Sequence, residues 1–229
     1  MRAPGPLFVL VLASLSVPAR ADDWPIAHPR GWYGQGFSRV VEVFPARSRQ
    51  NPGDKPLAYA YDVGAPGATW KADAKLIWKA TLPNREAPYE ALVSSDGWLV
   101  TLDDWGTLGF DNALVIYDPA GKLVKALKLD GLVPADVADR DRSVSSRYWR
   151  RGAQYTFDLT VKLLQIQLDK AGVIEVALAT GVAQYVPPDK AHQLANPERA
   201  TINELSLRFS SITDLLAERA RAPAPAKRR

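Results

Sequence analysis

The chain has no cysteine, a single methionine and only two histidines, His28 and His192. Without thiols there can be no disulfides, no cysteine nucleophile and no zinc site of the usual cysteine and histidine kind. His28 lies between Pro29 and Ala27, and His192 lies in a polar stretch near the C-terminus. Neither has a recognisable catalytic neighbour, so both read as surface or packing residues. The Gly-x-Ser-x-Gly elbow, the His-Glu-x-x-His helix and the phosphate-binding loop are absent as well. No cofactor and no metal are therefore expected. Long apolar runs are also missing: the longest, Leu7 to Val17, falls short of the roughly 20 residues needed to cross a bilayer. No transmembrane segment is expected.

That short run has a different meaning in its setting. It follows Met1 and Arg2 and ends in Ala19, Arg20 and Ala21, with the acidic Asp22 and Asp23 beyond. A basic start, an apolar middle and a small-residue exit are the pattern of a secretory signal peptide, here 1–21. The expected product is exported, periplasmic or secreted, and begins at Asp22. Its stability has to come from an ordinary hydrophobic core, because the export route would permit disulfides that the sequence does not supply.

Charge is not concentrated on the body of the chain. The formal net charge is +4, but two of the basic residues belong to 1–21 and five to the stretch 218–229. What remains, 22–217, carries 22 basic and 24 acidic residues. A body of that balance does not attract polyanions, so no nucleic-acid partner is expected.

Between about Arg39 and Thr180, runs rich in Val, Ile, Leu, Tyr and Trp are punctuated by Gly, Pro, Asn and Asp, which is a strand signal. Strands are expected at 39–44, 57–63, 75–82, 89–94, 98–102, 113–117, 122–129, 155–159, 162–168 and 173–178. Ser94 to Gly97 reads as a compact hairpin turn, with Ser or Asp capping it and Gly97 supplying a positive φ. Asp118 to Gly121 and Asp169 to Gly172 repeat one turn chemistry and suggest a repeated hairpin unit. Residues 134–151 read as a connection with short helical turns.

The unit SDGWLVT (95–101) followed by ALVIYDPAGKL (113–123) resembles a blade of a β-propeller of the broad WD40 or quinoprotein type, and the whole is similar to exported bacterial proteins with such a blade-like region. The resemblance covers 89–129 and, more loosely, 155–181. About three units can be outlined, whereas a closed propeller needs at least four blades of roughly 40 residues. The expected fold is mainly β: antiparallel hairpin units in a propeller-like partial stack or a two-layer sandwich, occupying 22–181.

The period changes near the C-terminus. Thr201 and Glu204 have capping-box spacing, and Ile202, Leu205, Phe209, Ile212 and Leu216 recur at intervals of three and four. An amphipathic helix is expected within a segment, 182–220, that packs on the sheets. The proline-rich basic stretch 221–229 reads as a disordered tail.

Candidate binding residues come from three groups. Asp96, Asp103, Asp104, Asp111 and Asp118 crowd around two hairpin turns, where they either cap the turns or converge on a cation such as Ca²⁺. Of the seven tryptophans, Trp32 and Trp105, with Tyr33, have glycines close by and are expected to be the more exposed, placed to stack on a sugar ring. Gly31, Gly34 and Gly36 read as a loop. Arg140, Arg142, Arg147, Arg150 and Arg151, interleaved with Tyr148 and Trp149, either meet an anionic ligand or form local ion pairs with Asp136, Asp139 and Asp141. The expected function is non-catalytic recognition of an envelope protein or glycan by loops at one end of the sheets. The alternative is a hydrolase of an envelope polymer in which Asp103, Asp104 or Asp111 act as acid and base.

Overall fold

A computed structural model describes residues 24–34, 38–48, 51, 53–64, 74–191, 194, 197–200 and 204–205. The expected signal peptide and basic tail lie outside the described residues, as does His192. The chain is mainly β and folds into three four-stranded antiparallel meanders. The first comprises β1 (Arg30–Tyr33), β2 (Arg39–Phe44), β3 (Leu57–Asp62) and β4 (Lys75–Thr81). The second comprises β5 (Pro88–Val93), β6 (Leu99–Asp104), β7 (Leu114–Tyr117) and β8 (Leu123–Leu127). The third comprises β9 (Gln154–Asp158), β10 (Leu163–Gln167), β11 (Val173–Ala177) and β12 (Val182–Val186). Two short strands, β13 (Glu198–Ala200) and β14 (Glu204–Leu205), extend the third sheet beside β9 and the first beside β1. The one α-helix among the described residues is the turn α1 (Ala135–Ala138), inside the expected connection.

All ten expected strands are present to within two residues at each end. The turn between β5 and β6 also forms as its residues require. Trp98 donates its amide to Ser94 Oγ at 2.9 Å, Ser94 Oγ donates to Asp96 at 2.6 Å, and Gly97 takes a φ of 98°. In the turn between β7 and β8, Asp118 accepts the amides of Ala120 and Lys122, each at 2.9 Å.

The sheets stack in three layers with the second in the middle, so the arrangement is neither a two-layer sandwich nor closed into a propeller. Alternation along the middle strands explains how one sheet serves two neighbours, since successive side chains in a strand point to opposite faces. Leu92, Val100, Leu102, Leu114 and Ile116 pack with Phe157, Leu164, Ile166, Ile174 and Val176 of the third sheet. Ala91, Val93, Leu99, Val115 and Tyr117 pack with Trp32, Val41, Val43 and Trp78 of the first. A strand buried on both faces reads as an unbroken apolar run, as 91–93, 99–100 and 113–117 do.

Four strands fall outside the sequence expectations. Arg30–Tyr33, within the expected glycine loop, is a strand in register with β2, with Trp32 opposite Val41. Val182–Val186 continues the third sheet past the expected boundary at 181. Glu198–Ala200 pairs with β9. Glu204 and Leu205, expected in a helix, instead pair with Trp32 and Gly31. The other residues of that expected helix that the sequence singles out, Thr201, Ile202, Phe209, Ile212 and Leu216, lie outside the described residues. The helical spacing competes with a sheet edge that offers unpaired backbone groups, and at 204–205 the edge wins.

Candidate functional site

The hairpin formed by β5 and β6 has two ends. At one, the Ser94–Gly97 turn is fastened by the third sheet and its extension. Glu198 accepts the Ser95 amide at 2.9 Å and the Ser95 hydroxyl at 2.6 Å, and Lys162 pairs with Asp96 at 2.7 Å. At the other end, where Pro88 is opposite Asp104, Tyr89, Glu90 and Asp103 meet the connection that leads into β9. A cleft of about 400 Å³ opens there, within the range of small-molecule sites.

Its floor is a charge network centred on Arg150. The guanidinium donates through Nε to Asp103 Oδ2 at 2.7 Å, and through Nη1 to Glu90 Oε2 and to the Tyr155 hydroxyl oxygen at 3.2 Å. The other Asp103 oxygen accepts the Gly109 amide at 2.8 Å and the Trp149 indole N–H at 2.9 Å. Asp103 is fully buried, and every oxygen of its carboxylate is engaged. Burial works against a charged Arg150, but the facing Asp103, Tyr155 and Glu90 outweigh it and hold its pKa above the ordinary arginine value. Burial raises the Tyr155 phenol against the opposing pull of Arg150.

Aromatic rings wall this floor. Tyr89 is near two guanidiniums, with Arg150 5.5 Å and Arg30 5.9 Å from its ring centre. Tyr148 also lines the cleft, with Arg151 5.1 Å from its ring centre. The arginines of 147–151 are each matched to acids. Arg147 bonds Asp130 at 2.7 Å and faces Asp139 at 3.3 Å, and Arg151 pairs with Asp141. Asp139 and Asp141 thus pair locally within this basic stretch, as their place in the sequence suggested, whereas Arg150 is held by the remote Glu90 and Asp103.

The expected site residues are dispersed. Asp103 adopts a left-handed φ of 59°, and its carboxylate and that of Asp104 engage separate sets of partners. Asp104 accepts from Asn84 at 2.7 Å and Asn112 at 3.1 Å; it does not line the cleft. Burial raises its pKa, with the two asparagines and the Arg85 amide opposing and the Asp103 charge adding to the rise. Asp111 is exposed and pairs with Lys128 at 2.7 Å, so it does not converge with Asp103. Asp96 and Asp118 serve their turns. Among the described residues no three acidic or histidine side chains gather as a cation site.

The exposure expected of two tryptophans is corrected. Trp32 is 1% exposed, inside the core between the first and middle sheets, because β1 is a strand and not a loop. Trp105 is 9% exposed, packs edge-on with Trp24 at 5.9 Å, and donates its indole N–H to the Pro25 carbonyl at 2.8 Å. Flanking glycines do not expose a ring when the chain before them folds over it. Tyr33 is half-buried beside Val40 and Tyr61. The cleft residues with polar side chains that were missed in the sequence are Tyr89, Glu90 and Tyr155. The available signal was one polar residue, Glu90, inside the apolar strand PYEALV.

Comparison with protein-family models, curated proteins and solved structures finds no match to this chain.

Proposed function

We propose that the chain is a non-catalytic exported β-scaffold protein, its three meanders a propeller-like partial stack, whose end cleft binds a glycan of the cell envelope. The observation that carries this reading is the pairing of charge in the cleft. Glu90, Asp103, Arg147, Arg150 and Arg151 all have opposite partners, so a ligand meets many hydrogen-bonding groups but little net charge. Uncharged polyols suit such a surface better than phosphates, and tyrosine faces suit the C–H face of a sugar ring. The export part of the reading rests on the signal-like pattern of 1–21.

The hydrolase alternative needs a carboxylic acid kept protonated beside the bond to be cleaved. Both cleft carboxylates are instead engaged by one guanidinium. The carboxyl with a raised pKa, Asp104, is engaged elsewhere.

The test is capture by the immobilised chain 22–229 from separated glycan and protein fractions of the native envelope, repeated with Tyr148→Ala and Arg151→Ala. Both side chains line the cleft and reach solvent, so the variants should fold. Retention of a glycan fraction, weakened about tenfold in either variant, supports the reading. Retention of a protein fraction alone, or of nothing, overturns it.

A further inference from the structure

A second cleft, of about 430 Å³, lies against the first. The two share Tyr148, Arg151 and Gly152. The turn carrying these residues is held by its own backbone, with the Arg151 amide bonded to the Tyr148 carbonyl at 3.1 Å and the Ala153 amide to the Arg150 carbonyl at 3.0 Å. It therefore forms a fixed saddle between the two openings. The second cleft has an apolar floor of Val137, Leu168, Ala171 and Trp149, all under 9% exposed. Polar side chains, Arg140, Asp141 and Asp169, rim that floor. An apolar floor with a hydrogen-bonding rim matches the cross-section of a pyranose, whose ring face is C–H and whose edge is hydroxyl.

Gly152 is the one residue shared by both clefts that carries no side chain. A Cβ added there would meet nothing within 4 Å, so the space above it is open, and its φ of 73° favours glycine, with asparagine the next best tolerated residue. A larger side chain would stand between the clefts.

We propose that the two clefts form one continuous track for a linear, uncharged glycan that crosses the saddle at Gly152. The inference rests on the glycan reading of the first cleft and adds the length and linearity of the ligand. A ligand confined to one cleft gains nothing from further sugars, whereas a chain lying in both gains the second set of contacts without a second loss of overall freedom.

The test uses disaccharide and octasaccharide fractions cut from the envelope glycan that the immobilised chain 22–229 retains, with binding followed by calorimetry. The octasaccharide is expected to bind at least about tenfold more tightly than the disaccharide. Arg140→Ala, which alters the second cleft alone, should remove most of that advantage while leaving disaccharide affinity in the first cleft unchanged, and Gly152→Asn, on the shared saddle, should likewise remove most of the advantage. Equal affinity for both lengths overturns the continuous track and leaves the glycan reading standing. A length advantage that survives both substitutions overturns the crossing at Gly152. No glycan bound at either length removes both readings together.

Discussion

Arg150 shows how a single side chain can set the character of a site. Its guanidinium satisfies Asp103, which has no exposure of its own, and Glu90 on the neighbouring strand. Breaking a buried pair on one side leaves the other charge stranded, at a cost of about 3–5 kcal/mol. Arg150→Ala is therefore expected to lose stability on that scale in equilibrium urea denaturation; a loss under about 1 kcal/mol would mean that water reaches Asp103. Asp104 predicts a pH effect of opposite sign to a salt-bridged carboxylate. Its folded pKa stands above the ordinary 3.8, so the folded state binds its proton more tightly than the unfolded one. Stability from this group is greatest at low pH and declines as pH rises from near 3.8 through the folded pKa. In Asp104→Asn that titration is gone, so the stability of the wild type relative to the variant should fall as pH rises from near 3.8 through the folded pKa. A constant difference would refute the assigned shift.

At the scale of elements, the turns were legible in the sequence because a turn is decided by a few adjacent residues. The Ser94–Gly97 turn forms with the capping and φ > 0 residues anticipated for it, and the Asp118–Gly121 turn forms where it was expected. What the second turn packs against was not legible. A Cβ at Gly121 would fall into the Trp78 indole of β4, whereas one at Gly131 would meet nothing, and both residues have positive φ. Replacing either by alanine costs about 1–2 kcal/mol for the left-handed backbone. Gly121→Ala should exceed Gly131→Ala by the added clash, a ranking that thermal melts of the two variants can check. The C-terminal strands offer a second comparison. Removing the two Glu198 bonds to Ser95 in Glu198→Ala should speed amide exchange in β13 while the middle strands stay protected. Slow, unchanged exchange at β13 would show that backbone pairing alone holds it.

For the whole molecule, the doubly buried middle sheet ties the layers into one folding unit. Leu114 faces the third sheet and Val115 the first, yet they are neighbours in β7. Leu114→Ala is expected to cost about 2–5 kcal/mol and Val115→Ala less. In both, circular dichroism and tryptophan fluorescence should report one coincident unfolding transition. Separate transitions would mean that an outer sheet melts alone.

Ten of the fourteen strands among the described residues, and the hairpin turns between them, are present in the amino-acid pattern, since alternation, apolar runs and turn residues act over a few positions; β1, β12, β13 and β14 are not. The ion pairing of the 147–151 arginines was likewise half-visible, because Asp139 and Asp141 lie close by in sequence. Three outcomes needed the tertiary structure. Asp103 is joined to an arginine 47 residues away, Trp32 and Trp105 are covered by chain that the local sequence does not foretell, and Glu204–Leu205 pairs with a strand far earlier in the sequence. In each, the deciding contact is remote in sequence, and its energy outweighs the local preference that composition and spacing express.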